Sequence, residues 1–380
     1  MSLTLILTIV FYVFVTFSVV QLCYFICLFG KLINFKEANK TKASLSKKAV
    51  SVIICAKDEA ENLQSFLPHI YAQDYPDFEV VLVDDRSIDN TYEVMDSFKE
   101  KYPDKTKIVK VEFSNNLRFV GNKKYALTMG IKGASNPYLL FTDADCQPAS
   151  KNWISQMASK FSNKKQLILG YGKYEEQKNS FLNKLIRYET VQTALQYFSY
   201  ALKGMPYMGV GRNLAYTKDL FMENNGFYSH LDILSGDDDL FVNEVASSEN
   251  TDICIDKDSF TISKPKTTWG AFIHQKRRHI GTANHYKFKH QLLLGLYFLS
   301  QIVFWGLGTG LLIAQFQWQI VLGIILARFF VWFYINYESM RLLDEKRLIL
   351  WLPVLELSLM LFQLFIFVMN IFQKPKTWTN

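Results

Sequence analysis

Charge is missing from three long stretches of this 380-residue chain. Residues 1–30 and 291–327 hold no charged side chain, and residues 348–373 hold only Glu356. A helix crossing the hydrocarbon core needs about 20 apolar residues, so the chain reads as an integral membrane protein. Cysteine is scarce as well. The five present (Cys23, Cys27, Cys55, Cys146, Cys254) make no Cys-x-x-Cys pair and no metal-ligand spacing. That excludes a disulfide framework and a zinc site, and it fits a reducing compartment. The first apolar run lacks a basic segment before it and a small-residue cleavage site after it, and it is too long for a signal-peptide core. It reads as a retained anchor. No internal repeat is present.

The formal net charge is +7, but its distribution says more than its sum. Residues 31–48 carry six Lys and one Glu, and residues 264–290 carry seven basic groups and no acid. Residues 49–263 carry 23 basic and 30 acidic groups. The positive charge thus lies beside the apolar runs, where anionic headgroups are. A nucleic-acid binder would carry it on the soluble part, so no nucleic-acid partner is expected. Lysines crowd the C-terminal side of the first run, which puts the N-terminus outside and residues 31–290 in the cytoplasm.

Three further spans fit residues 291–313, 319–337 and 348–372. The expected plan is a transmembrane anchor (1–30), a basic juxtamembrane linker (31–48), a folded domain (49–263), a basic interfacial segment (264–290), three transmembrane helices (291–373) and a tail (374–380). The whole is a multi-pass protein of the cell membrane, bounded by membrane lipids. The tail, with Lys374 and Lys376, comes out external, against the positive-inside rule. Arg328 and Glu356 lie within apolar runs. Arg328 is about 14 Å from the outer end of its span and Glu356 about 12 Å from the inner end of the next, at 1.5 Å per residue. In a core of about 30 Å they reach similar depths, and an intramembrane ion pair is expected.

The middle alternates short apolar runs with helical patterns. Val50–Ala56, Glu79–Val83, Lys107–Val111 and Tyr138–Thr142 read as strands; Glu59–Tyr71, Asp89–Tyr102 and Asn122–Ala134 read as helices. This alternation implies right-handed βαβ units and a largely parallel sheet, with ligands outside the carboxyl ends of its strands. Phe181–Leu202 has near-helical apolar spacing, suited either to the membrane interface or to packing on the sheet.

Acidic clusters fall at the strand ends: Asp58-Glu59, Asp84-Asp85 and Asp143-Ala144-Asp145. Neighbouring carboxylates repel and need a compensating charge. In Asp-x-Asp both side chains point the same way on an extended backbone, and one can hold Mg²⁺ or Mn²⁺ while the ion grips a diphosphate. Each cluster alone could instead cap the next helix. Gly121-Asn122-Lys123-Lys124 opens the third helix, a place suited to an anion. In Gly236-Asp237-Asp238-Asp239, mutual repulsion should raise at least one carboxyl, a candidate general base. Gln275-Lys276-Arg277-Arg278-His279 precedes the second apolar run.

In this order, Asp84-Asp85, Asp143-Ala144-Asp145, Gly236-Asp237-Asp238 and Gln275-x-x-Arg278-His279 resemble the membrane-integral, inverting family 2 glycosyltransferases over residues 49–290. The resemblance implies a GT-A α/β fold, Rossmann-like, as the catalytic domain. It assigns Asp58 or Glu59, with Asp84 and Asp85, to the base and ribose of the nucleotide, and puts Lys123 nearby. Asp143 and Asp145 would take the sugar diphosphate, Asp145 with the metal, and Asp238 would be the base. Asp237, Gln275, Arg278 and His279 would frame the acceptor and diphosphate, with His279 where the family has Trp. Gly209–Asn213 would line the acceptor side. The implied activity moves a sugar from a nucleotide-diphosphate donor, a UDP-sugar, to a lipid or lipid-linked glycan acceptor. Alternatives are a processive polysaccharide synthase and a metal-dependent membrane phosphotransferase.

Overall fold

The computed structural model describes residues 2–35, 48–112, 123–233 and 235–372. Gly121, Asn122, Lys374 and Lys376 lie outside them. The chain opens with α1 (Leu3–Cys23), which runs through a π-helical stretch, Tyr24–Phe29, into α2 (Gly30–Ile33). Then come β1 (Val50–Ala56), α3 (Ala60–Tyr71), β2 (Phe78–Asp84), α4 (Thr91–Lys101), β3 (Thr106–Lys110), α5 (Lys123–Gly133) and β4 (Tyr138–Phe141). These four strands and three helices are the expected ones, with ends shifted by a residue or two.

β5 (Cys146–Pro148), α6 (Trp153–Ser159), β6 (Leu167–Leu169), β7 (Gly172–Tyr174), α7 (Phe181–Leu202), β8 (Leu214–Thr217), α8 (Lys218–Glu223), α9 (Asp239–Val245), β9 (Thr251–Ile253) and β10 (Thr261–Ser263) complete the domain. α10 (Trp269–Ala283), α11 (Phe288–Ile313), α12 (Trp318–Leu342) and α13 (Leu352–Phe372) follow. The main sheet runs β3-β2-β1-β4-β8-β6-β9; β8 is antiparallel to both its neighbours and the other pairs are parallel. β5, β10 and β7 form a second, small sheet.

β1 and β2 are almost wholly buried because helices cover both faces of the sheet, the reason a parallel strand reads as an unbroken Val/Ile run. One face packs on α3, α4 and α6. The core on the other face continues without a break into the membrane helices: Phe25, Phe29 and Leu32 share it with Tyr188, Phe198 and Trp332. α7 resolves the two expectations for its segment. β7 and β9 pack on it from one side, and α2, the π-helical stretch and α13 from the other. It is buried all round, which is why its apolar pattern wraps the helix.

Among the described residues, four helical stretches are long and apolar enough to cross a membrane: Leu3–Ile33, Phe288–Ile313, Trp318–Leu342 and Lys346–Phe372. The turn after α12 pins them to the domain. Buried Glu345 pairs with buried Arg187 of α7, and Asp344 accepts from Lys173 Nζ at 2.8 Å and Lys257 Nζ at 3.0 Å.

Candidate active site

The end of β1 turns sharply at Asp58, whose φ of 55° is left-handed, a conformation that Asp tolerates through local hydrogen bonds. Its Oδ1 accepts the Ile88 N–H at 2.8 Å, which ties the β1 and β2 turns together. Glu59 Oε2 accepts from Asn62 Nδ2 at 2.5 Å, and burial raises its carboxyl above the ordinary value. Asp85 pairs with Arg86, itself left-handed at φ 59°. Asp84 departs from expectation. It is buried at the end of β2, takes the Ser87 N–H at 3.1 Å and braces the turn that presents Asp85.

Lys123, first residue of α5, was expected beside an anion. Its ammonium is committed to two carboxylates, Asp143 Oδ1 at 2.8 Å and Asp237 Oδ2 at 3.2 Å. Burial opposes its charge, yet those carboxylates hold its proton affinity well above the ordinary value. In return, against the cost of burial, Lys123 holds Asp143 below the usual carboxylate range. Among the described residues, Asp145 has no such ion pair. Burial and then the Asp143 charge push its carboxyl upward. Ligand atoms of Asp143, Asp145 and Cys146 lie within 4.8 Å of one another. The Cys146 thiol bonds to Ser263 Oγ at 2.9 Å, and burial keeps it protonated. The available ligands are therefore hard carboxylate oxygens with unbalanced negative charge, a donor set that fits Mg²⁺ or Mn²⁺ rather than a thiophilic ion.

The three consecutive aspartates divide their tasks. Gly236 makes the preceding turn at φ 96°, a conformation open to glycine. Asp237 faces Lys123. Asp239 is buried and accepts from the Thr282 and Tyr286 hydroxyls. Asp238 Oδ2 accepts the Gly211 N–H at 2.7 Å. Burial, then Asp237 and Asp239, raise its carboxyl from 3.8 to about 7. At about 7 that carboxyl is poised to exchange a proton near neutrality.

Asp58, Glu59, Asp85, Lys123, Asp143, Asp145, Asp237, Asp238, Gln275, Arg278 and His279 line one cavity of about 890 Å³, joined by Val210, Gly211 and Arg212, whereas Asp84, Gly209 and Asn213 do not line it. Gln275, Arg278 and His279 enter it from α10, with the Arg278 guanidinium in the field of Asp237 and Asp143. Arg212, from the segment expected on the acceptor side, lies over the Tyr174 ring at 4.2 Å, in space that a Cβ on Gly172 would fill. Lys276 Nζ pairs with Glu189 Oε2 at 2.6 Å within the cavity. Thr282 and Tyr286 were missed; Thr282 follows His279 by three residues on α10, and Tyr286 lies in the turn beyond the end of that helix.

Fold and site together define a membrane-attached α/β protein of GT-A type, with an acidic centre at the carboxyl ends of its strands. The chain matches, over residues 51–220, the family model described as Glycosyl transferase family 2. It is 32% identical over 96 residues to the poly-beta-1,6-N-acetyl-D-glucosamine synthase of Staphylococcus epidermidis, a stretch covering 25% of this chain and 21% of that protein. It is 33% identical over 115 residues to glycosyltransferase AglE of Haloferax volcanii, covering 30% and 35% respectively. The matched stretch thus spans about a third or less of these relatives. The mannosyltransferase PcManGT from Pyrobaculum calidifontis, solved in complex with GDP-Man and Mn²⁺, shares the fold. It superposes with a TM-score of 0.59 at 16% identity, over 90% of this chain and 98% of that one.

Proposed function

We propose that this protein transfers a sugar from a nucleotide-diphosphate donor, a UDP-sugar, to a lipid-linked acceptor at the cytoplasmic membrane face, with inversion at the anomeric carbon. One observation carries the reading. Asp238, raised to about 7, shares a single cavity with Asp143, Asp145 and the ends of the membrane helices.

The chemistry follows from the residues. Asp238 takes the proton of an acceptor hydroxyl. That oxygen bonds to the anomeric carbon from the face opposite the diphosphate, and the carbon–oxygen bond to the diphosphate breaks, its electron pair leaving with the nucleotide. Asp58, Glu59 and Asp85 border the nucleotide end of the cavity. Arg278 supplies positive charge toward the departing diphosphate. Asp145 and Asp143 would hold a divalent cation, Mg²⁺ or Mn²⁺, which supplies Lewis-acid stabilisation to the leaving group.

The test incubates membranes containing the protein with a panel of radiolabelled nucleotide sugars. Released nucleoside diphosphate together with label in extractable lipid supports the reading. Label in a water-soluble polymer favours a processive synthase, which the resemblance to the Staphylococcus epidermidis synthase also suggests. Absence of diphosphate release with every donor overturns sugar transfer.

A further inference from the structure

We infer that the membrane-side arm of the cavity binds the acceptor as a glycolipid with an uncharged sugar headgroup, one hydroxyl of which faces Asp238. The inference rests on the sugar-transfer reading and names its acceptor class.

Charge is the first argument. Of the cavity's cations, Lys57, Lys123, Arg212, Lys264 and Lys266 come from the loops of the α/β domain and the start of α5, and Arg278 lies in the field of Asp237 and Asp143. Toward α7, α11 and α13, the charged lining residues described are Glu189 and Lys276, and each already neutralises the other at 2.6 Å. A phosphate-headed acceptor would need a cation left available for it.

Amide chemistry is the second. Gln196 of α7, Gln275 of α10 and Gln363 of α13 line this arm, and none of the three side chains bonds to another described residue. Each amide offers both donors and acceptors, the match for sugar hydroxyls. Gln363 stands among apolar residues of α13 and turns its amide to the cavity. Leu294, Phe298, Leu359 and Phe367 continue the wall beyond it, as acyl chains require.

The base is the third. A phosphate oxygen is already ionised at neutral pH and needs no proton acceptor; a sugar hydroxyl does. As a base, Asp238 finds a proton to take only on the latter.

The experiment uses the full chain in native membranes with the labelled donor that releases diphosphate. The lipid product is treated with mild acid, which cleaves a sugar linked through phosphate and spares a glycosidic bond between sugars. Acid-stable lipid label is expected. Acid-released label overturns the inference while leaving sugar transfer intact, and so does label found only in water-soluble polymer. No diphosphate release defeats the underlying reading instead. As a second measure, Gln363→Leu should raise the acceptor KM about tenfold and leave the donor KM unchanged, on the order of a lost hydrogen bond. An unchanged acceptor KM in Gln363→Leu and in Gln196→Leu also overturns it.

Independent contacts carry a second inference: the geometry points to α13 lying along the domain-side membrane surface rather than crossing the bilayer. It packs on α7 and α10. Just before it, Arg347 Nη1 meets Glu176 Oε2 of the catalytic domain at 2.7 Å. Near its other end, Asn370 exchanges hydrogen bonds with Arg277 of α10, at 3.0 and 3.1 Å. Between them Phe362 stacks on Phe272, ring centres 4.9 Å apart. α13 therefore runs beside a helix carrying Lys276, Arg277 and Arg278, which hydrocarbon does not admit. Its other face, with Val354, Leu357, Leu361, Phe365 and Val368 exposed, is apolar as a lipid-facing surface must be.

An epitope tag after Asn380 tests this in sealed vesicles whose catalytic domain faces outward. Protease should remove tag and domain together. A tag protected while the domain is digested would falsify the surface placement.

Discussion

Arg328 of α12 and Glu356 of α13 form a buried ion pair within apolar helices, and Arg328 Nε also donates to Gln21 Oε1 of α1 at 2.7 Å. The guanidinium further lies 5.2–5.6 Å from the ring centres of Phe25, Phe304, Trp305 and Trp332. One cation thus ties four helical segments together. Removing either partner strands a buried charge, a loss of about 3–5 kcal/mol. Arg328→Met and Glu356→Met should each lower the yield of folded protein, and the double variant should recover much of it, because an apolar pair leaves no charge behind. The exchanged pair, Arg328→Glu with Glu356→Arg, should recover less, since it sets a carboxylate against four ring faces. Detergent-extracted yield and melting temperature check this.

Asp238→Asn should keep donor binding and lower turnover about a hundredfold or more, the scale of a lost general base. Asp239→Asn should act differently. Its carboxylate holds Thr282 and Tyr286, so the expected loss is in melting temperature first. Binding of labelled donor, turnover and thermal unfolding, measured on both variants, separate the two roles.

The raised Asp238 carboxyl gives a pH dependence of known sign. The base must be ionised, so kcat/KM should rise with pH through an ionisation at about 7, or below it once a divalent cation is bound. Stability runs the other way. Between about pH 4 and 7 the folded protein keeps a proton that the unfolded chain has lost, so this group's contribution is full below 4 and disappears as pH rises through 7. Asp238→Asn should flatten that part of the stability curve. An unchanged curve argues against the raised carboxyl.

Asp145→Ala should abolish the response of activity to added Mg²⁺ or Mn²⁺ and weaken nucleoside diphosphate binding. In the parent protein, chelator should lower binding of the nucleoside diphosphate. Equal binding with and without chelator would remove the metal from the site.

Arg187→Met should leave Glu345 buried without its partner and loosen the turn between α12 and α13 from α7. The expected outcome is lower folded yield and faster proteolysis at that turn. An unaltered digestion pattern would show that Asp344, with Lys173 and Lys257, suffices to dock it.

Much of this was legible in the chain because it depends on local periodicity. β1 to β4 and the helices between them follow from Val/Ile runs and 3.6-residue spacing, and the acidic site follows because the carboxyl ends of parallel strands converge. The apolar runs, and the approach of Arg328 to Glu356, needed only counts of residues and a rise per residue. What sequence could not reach depends on which surfaces meet. Asp84 and Asp85 are adjacent and chemically alike, yet backbone direction turns one into the β2 end and the other into the cavity. Lys123 looks like an anion ligand until α5 is packed beside Asp143 and Asp237. Asp238 differs from Asp237 and Asp239 only by its neighbours: an ammonium for one, two hydroxyls for the other, and for itself burial against the Gly211 amide. The choice between the two readings of α7 cannot be made from composition, which is the same for a helix at the membrane interface and one buried against protein. Composition sets how much apolar surface must be covered; only the tertiary structure decides what covers it.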